Sequence, residues 1–296
     1  MELLITGGTG FVGRPLVERL VAAGHECVVV SRDPAAAGAR LPAGARAVAY
    51  TEPWPAVAGV IHLAGESIVG LWTPAKRRRI MGSRVNGTRL LVNWLKQVQP
   101  RPGVLLSMSA VGIYGDRPGE VVAEDSPLDP AGKFRAQVCL AWEMEALAAQ
   151  APETRVVLLR LGNVMDPAGG FLGELLNVYR RAPVVGFGSP PAMLSWISLR
   201  DTVALIAFAL ENQAVSGPLN VTAPRPVSQG ELTALVAAHL GKRVWGHLPG
   251  GVLRLGLGAF ADAFLDSQVA RPGKALAHGF QFNDESFAAY MRQLAD

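Results

Sequence analysis

Residues 2–13 read Glu-Leu-Leu-Ile-Thr-Gly-Gly-Thr-Gly-Phe-Val-Gly: a short apolar run, Leu3 to Thr6, breaks into a glycine turn and then into a helical pattern from Phe11 to Ala23. Strand, tight loop and helix N-terminus in that order cradle a dinucleotide pyrophosphate, because free backbone N–H groups and the helix dipole both favour an anion there. Gly7 lets the chain turn sharply, Gly10 lets backbone approach the phosphates, and Gly13 lets the helix sit close to the sheet. The predicted contacts in this loop are Gly7, Thr9, Gly10, Phe11, Val12 and Gly13. A glycine-rich turn with no ligand is the plainer alternative; the strand before and the helix after favour the cofactor.

The alternation continues through the first half of the chain. Cys27 to Val30 reads as a β-branched strand, Arg46 to Tyr50 as a short one, and Val57 to Leu63 as a buried one. A long helix is expected over Pro74 to Val98 with Leu90, Leu91, Trp94 and Leu95 on its buried side, stopped by Pro100 and Pro102. Val104 to Ser107 is the next strand, Phe134 to Ala149 a helix, and Thr154 to Leu161 the last of the parallel set. Strands separated by helices of this size imply an α/β fold with a doubly wound parallel sheet and right-handed crossovers. After Gly162 the alternation gives way to Gly, Pro and short elements, so the expected division is a nucleotide-binding domain over 1–165 and a substrate-side lobe over 166–296. Pro218 to Val221 is expected to return one strand to the sheet, Asp201 to cap a helix running to Glu211, and Ser228 to cap another with Glu231 at the capping-box position. A terminal helix is expected from Asp284.

Composition serves mainly to exclude. No apolar run reaches membrane-span length, and the N-terminus enters the first strand directly, so the expectation is a cytoplasmic protein with no membrane partner. Cys27 and Cys139 form no C-x-x-C, and the five histidines are scattered, so no metal site is expected. The net charge is +4, and its one dense basic run, Arg77-Arg78-Arg79, carries no interleaved aromatic residue. A solvated helix face accounts for that run better than a nucleic-acid patch.

Several further motifs stand in order along the chain: Val30-Ser-Arg32, His62-Leu-Ala-Gly-Glu66, Gly82-Ser-Arg84, Ser109-Ala-Val-Gly-Ile-Tyr-Gly115, Trp142-Glu143, Ser195-Trp-Ile197 and Asn220-Val-Thr-Ala-Pro224. With the opening loop they resemble the extended short-chain dehydrogenase/reductase superfamily, in the atypical branch called nucleoside-diphosphate-sugar epimerase-like or epimerase family. Arg271-Pro272 and Gly279-Phe-Gln-Phe282 resemble that branch's C-terminal domain of unknown function. The resemblance implies a Rossmann-type sheet with a smaller C-terminal lobe closing over a small-molecule substrate, with a nucleotide-linked one as an option. It also implies backbone contacts to a cofactor from Leu63, Ala64 and Gly65, and from Val164 on the nicotinamide side. Arg84 stands where many relatives carry an Asn facing the cofactor; a reach to the pyrophosphate and an exposed helix Arg are both open. A homodimer is one option, since relatives of this architecture often pair through two long helices; monomer and dimer both remain open.

The end of the second strand separates NAD from NADP. An acidic residue there would accept hydrogen bonds from ribose hydroxyls and repel a 2′-phosphate. Ser31 and Arg32 instead offer a hydroxyl beside a guanidinium, which suits a dianionic phosphate, so NADP(H) is the expected cofactor. The chemistry is less regular. The resemblance implies that Ser109 polarises a substrate oxygen, while a Tyr-x-x-x-Lys dyad would move the proton. None of Tyr50, Tyr114, Tyr179 and Tyr290 has Lys four residues later. Counting back from Glu143 puts Arg135 and Cys139 at the dyad positions; another register gives Phe134 and Val138. Tyr114 is the best local proton candidate, against the alternative of a phenol packed at the loop base. Lys133 and Arg135 could supply positive charge, Glu66 could orient a ribose or act as a base, and Trp72, Phe187 and Trp196 could line the substrate side. Two functions follow: an NADP(H)-dependent epimerase-like oxidoreductase acting on a small or nucleotide-linked polar substrate, or a protein that binds NADPH as a signal with little or no catalysis.

Overall fold

The computed structural model describes residues 1–129 and 132–294. The last two positions of the expected C-terminal lobe therefore lie outside the described residues. Seven parallel strands make one sheet: β1 (Glu2–Thr6), β2 (Glu26–Ser31), β3 (Ala45–Ala49), β4 (Gly59–His62), β5 (Val104–Ala110), β6 (Arg155–Leu161) and, after two short strands β7 (Asn163–Asp166) and β8 (Trp196–Ser198), β9 (Gly217–Val221). The order across the sheet is β9-β6-β5-β4-β1-β2-β3. The chain thus runs outward from β1 to β3, returns to β4 on the other side of β1, and runs outward again. The carboxyl ends of β1 and β4, Thr6 beside His62 in register, flank the point where the order reverses. A crevice opens outside the strand ends at such a point, and ligands bind there in open α/β sheets.

Both faces of the sheet are covered, so its strands are apolar at successive positions rather than at alternate ones. Leu3 and Ile5 pack on one side with Leu16, Leu20, Leu205 and Ile206, from helices α1 (Gly13–Ala22) and, later in the chain, Leu199–Glu211. Leu4, Val28 and Leu105 pack on the other with Leu91, Leu95 and Ala146, from α2 (Pro74–Gln97) and α3 (Phe134–Leu147). The buried stripe of α2 is Ile80, Thr88, Leu91, Val92 and Leu95. Leu90 was expected on it but is 50 % exposed, because it sits one position, about 100° of rotation, off the stripe.

The remaining helices are α4 (Gly170–Arg181), α5 (Leu199–Glu211), α6 (Gln229–His239), α7 (Gly250–Leu257) and α8 (Phe287–Gln293), with shorter turns between them. A second core joins Leu172, Leu176 and Tyr179 of α4 to Leu232 and Val236 of α6 and to Phe287 and Tyr290 of α8. The lobe is not a simple continuation after residue 165. α5 and β9 belong to the main sheet layer, and Ala275 and Phe280 bury against its core. β9 includes the predicted returning strand.

Three local expectations change. The terminal helix begins at Phe287 rather than Asp284. Trp196 was expected near substrate but is fully buried in the second core, where its indole N–H donates to the Arg225 carbonyl at 2.7 Å. Ser198, not Asp201, caps α5: its hydroxyl accepts the Asp201 N–H at 3.2 Å. The fully buried Asp201 carboxylate instead accepts from Asn283 N (3.1 Å), Asn283 Nδ2 (2.7 Å) and Asp284 N (2.8 Å), tying the C-terminal segment to the main domain.

Candidate functional site

The glycine loop is built by steric exclusion. Gly7 has φ +72°, and a Cβ there would lie 2.8 Å from the Ala64 nitrogen; one at Gly13 would lie 2.1 Å from the Gly7 oxygen. A Cβ at Gly10 would meet only that same oxygen, at 3.2 Å, so its other side opens outward. α1 starts with Val12 at its N-cap and no side-chain cap; Arg14 N–H donates to the Gly10 carbonyl at 2.9 Å and Pro15 has none, so the Val12 and Gly13 N–H groups are the ones left to serve an anion. These residues fit a dinucleotide pyrophosphate. A cavity of about 490 Å³ lies against them, lined also by Phe11, Leu63, Gly65, Arg84, Ser109 and Trp142. Thr9 and Ala64 stand beside this cavity without lining it. Ser31 and the exposed Arg32 end β2 next to β1 and lie outside the cavity. Arg32 makes no ion pair among the described residues, whereas Ser31 Oγ is engaged with the Asp33 backbone. Asp33 caps the short helix Pro34–Gly38 through the Ala36 N–H.

Behind the loop runs a buried chain of polar contacts that connects β1, β4 and α2. Thr88 Oγ1 donates to the Arg84 carbonyl at 2.5 Å, so its oxygen accepts from His62 Nε2 at 2.9 Å. His62 Nδ1 is then the acceptor for Thr6 Oγ1 at 2.6 Å, and Thr6 Oγ1 in turn accepts the Ala64 N–H at 3.3 Å. Burial, with a smaller contribution from the Arg84 charge, pushes the His62 pKa down to about 4. The imidazole is therefore neutral at physiological pH and acts as a strut between the cofactor loop and α2. Arg84 is no exposed helix residue: its guanidinium stacks over Trp142 at 4.9 Å and donates to the Glu66 carbonyl at 3.0 Å. The Trp142 indole N–H, on the wall of the same cavity, is buried with no partner among the described residues.

Ser109, at the end of β5, lines the cavity but has its proton committed. It donates to Glu143 Oε1 at 2.7 Å, and Glu143 also takes a bidentate pair from Arg160 at 2.9 Å on each oxygen. Parallel register sets Ser109 directly beside Arg160. Arg160 Nη1 also donates to the Tyr114 hydroxyl (2.9 Å), which donates to Asn220 Oδ1 (2.8 Å). Tyr114 is fully buried, and burial pushes its pKa up despite the neighbouring Arg160 charge. The structure does not bring it to the cavity wall, so it takes the alternative of a phenol packed at the loop base. Glu143, Arg160 and Asn220 were not among the expected site residues, although an Arg inside the apolar run Val156–Leu161 signals a buried counterion.

Both registers of the dyad positions reach the cavity: Arg135 and Cys139 line it, and so do Phe134 and Val138. Burial pushes the Cys139 thiol up to about 11, which leaves it protonated. Arg135 donates to the Asp262 carbonyl at 2.9 Å and is the charged side chain nearest to Gly112 in the loop after Ser109. Glu66 is engaged by Lys76 at 2.9 Å and by Arg79, and these hydrogen bonds hold its carboxyl below the usual range. That pairing opposes a role as a base. A second cavity, of about 610 Å³, adjoins the first and shares Phe11, Val12, Gly65 and Arg84 with it. Val164 lines this second cavity, as does Phe187; Trp72 lines the first. Among the described residues no cluster of His, Cys, Asp or Glu could hold a metal ion, and no helix is long and apolar enough to cross a membrane.

Residues 3–222 match the NAD dependent epimerase/dehydratase family, and residues 248–294 match a domain of unknown function, DUF1731. The chain is 36 % identical to the Arabidopsis thaliana chloroplastic homologue of epimerase family protein SDR39U1, over 95 % of this chain and 83 % of that one. It is 32 % identical to the Bacillus subtilis epimerase family protein YfhF, over 99 % of this chain and 98 % of the relative. The crystal structure of human epimerase family protein SDR39U1 (isoform 2) with NADPH superposes with a TM-score of 0.89 at 29 % identity, covering 100 % of this chain and 99 % of that one.

Proposed function

The chain belongs to the NAD dependent epimerase/dehydratase family, and on that premise we propose that it is an NADP(H)-binding, epimerase-like oxidoreductase working without a tyrosine–lysine proton relay. The carrying observation is the end of β2, where an exposed guanidinium, Arg32, follows a hydroxyl, Ser31, beside the glycine loop. A 2′-phosphate would bind there by charge-assisted hydrogen bonds. The human relative solved with NADPH supports the same cofactor.

In this reading the glycine loop and α1 hold the pyrophosphate, Arg84 adds positive charge beside Gly65, and Val164 flanks the nicotinamide end. The bound cofactor supplies hydride chemistry at its nicotinamide ring. Arg135 stabilises negative charge on the substrate oxygen as a fixed guanidinium rather than a proton shuttle. Ser109, its proton held by Glu143, presents lone pairs to the cavity and positions a substrate donor group. The proton that balances hydride transfer to a carbonyl carbon then comes from water.

A second reading is favoured by the same committed groups. With Ser109 engaged, Tyr114 buried and Cys139 protonated, the protein would bind NADPH as a signal and turn over little or nothing. Titration of the purified protein with NADPH and NADH, followed by nicotinamide fluorescence, tests both. Wild type is expected to prefer NADPH, and Arg32→Ala to weaken NADPH alone by at least about ten-fold, roughly 1.4 kcal/mol. Equal binding of both cofactors would sink the phosphate assignment. Deuteride transfer from NADPH labelled at C4 separates the enzyme from the sensor.

A further inference from the structure

From the wall of the second cavity we infer that the substrate-side site takes an uncharged, largely aromatic or hydrocarbon molecule rather than a nucleotide-diphosphate sugar. The inference rests on the proposed function, in which Ser109 and Arg135 in the first cavity meet the reacting oxygen and Val164 flanks the nicotinamide, so that the rest of the substrate extends along the second cavity. The wall is built by Phe171, Leu175 and Val178 of α4, by Phe187, and by Phe260 and Phe264 from the segment after α7. The rings form one connected surface: Phe264 lies 5.7 Å from Phe171, 5.1 Å from Phe187 and 5.3 Å from Phe260. Trp72 continues it into the first cavity, 5.8 Å from Phe260. At the mouth, Ile68 and Val69 are 38 % and 58 % exposed on the loop before α2, so the approach is apolar as well.

Charge decides against a diphosphate. Two phosphate negatives leaving water need cations or a dense set of donors. Among the lining residues the charged side chains are Glu66, Glu174 and Arg84. Arg84 is stacked on Trp142 and donates to the Glu66 carbonyl beside the glycine loop, and Glu174 would repel an anion at the rim. The nearby cations are already engaged: Arg254 with Asp262, Lys133 with Asp262 and Asp266, and Arg135 of the first cavity with Asp266 and the Asp262 carbonyl. A volume of about 610 Å³ lies within the range of small-molecule sites. An apolar body gains by leaving water against such a wall, whereas an anion there loses its hydration against rings, with Glu174 at the rim and Lys76 and Arg79 already taken by Glu66.

Equilibrium dialysis of the intact protein tests this, using 2-acetylnaphthalene (an uncharged aromatic ketone) and UDP-glucose as probes, each with and without NADPH. The naphthyl ketone is expected to bind and to resist displacement by excess UDP-glucose. Val178→Lys, at a half-exposed position that folding tolerates, and Phe264→Ala should each weaken it by at least about ten-fold. Both variants should leave NADPH affinity unchanged. Binding of UDP-glucose in its place, no binding of the ketone, or ketone binding indifferent to both substitutions would overturn the inference. Loss of NADPH binding in the wild type would instead remove the proposed function, and the cofactor-free dialysis arm still reads the wall by itself.

Discussion

At His62 the sheet buries an imidazole between two threonine hydroxyls, and the consequence is a stability that depends on pH. The unfolded side chain titrates near 6.5 and the folded one near 4. As pH falls below 6.5 the unfolded chain binds the proton first, so stability present above that pH is lost progressively down to about 4. The full swing amounts to roughly 3 kcal/mol. Urea unfolding at about pH 7.5 and about pH 5 should therefore show a steeper loss in wild type than in His62→Gln, which has no proton to gain. Equal losses would mean that carboxylates elsewhere dominate the acid limb. The motif His62-Leu-Ala-Gly-Glu66 was legible as family pattern, but its histidine had no assigned work. The partners that make it a strut, Thr6 and Thr88, are 56 and 26 residues away.

Between elements, the most consequential pairing is the ladder of β5 with β6. It places Ser109 next to Arg160, while α3 lays Glu143 across both. Arg160 is 3 % exposed and Glu143 6 %, so neither charge is sustained by water. Glu143→Leu should cost about 3–5 kcal/mol in urea unfolding, because it strands a buried guanidinium. Glu143→Leu with Arg160→Leu should cost markedly less, since both charges leave together. If the double variant is as unstable as the single one, packing rather than charge is what the pair provides. Ser109 was readable from its place at the end of a strand. That its proton is already spent was not, because Glu143 lies 34 residues onward on a helix.

At the scale of the whole molecule, the Phe11 ring brings the cofactor loop against the lobe. Phe11 packs against the Gly169-Gly170 turn at the start of α4: a Cβ on either glycine would lie 2.7 Å from its ring. Gly170 also has φ +62°, a conformation that side chains rarely adopt. Gly170→Ala should therefore lower stability by about 1–2 kcal/mol. It should also weaken NADPH binding several-fold by displacing Phe11 from the loop; thermal unfolding and the fluorescence titration read the two effects. Unchanged cofactor affinity in a destabilised variant would show that loop and lobe are not coupled. The Asp201 contacts with Asn283 and Asp284 make the same point for the C-terminal segment, which closes on the main domain rather than hanging from it.

The strand, glycine loop and helix at the N-terminus, and the sequence of strands and helices behind them, were determined by the chain itself. Their signals are local: hydrophobic period, glycines where a Cβ has no room, and prolines that end a helix. The cofactor loop was legible for the same reason, and the Ser31-Arg32 signal sits on adjacent residues. Long-range packing decided the rest. Trp196 faces in because elements distant in the chain pack around it. Asp201 anchors a distant loop instead of capping its own helix. The aromatic wall gathers Phe171, Phe187, Phe260 and Phe264 from segments that the fold brings together, so no local pattern could have announced it. Local sterics write themselves into neighbouring letters of a sequence; a cavity's chemistry exists only once the chain has closed around it.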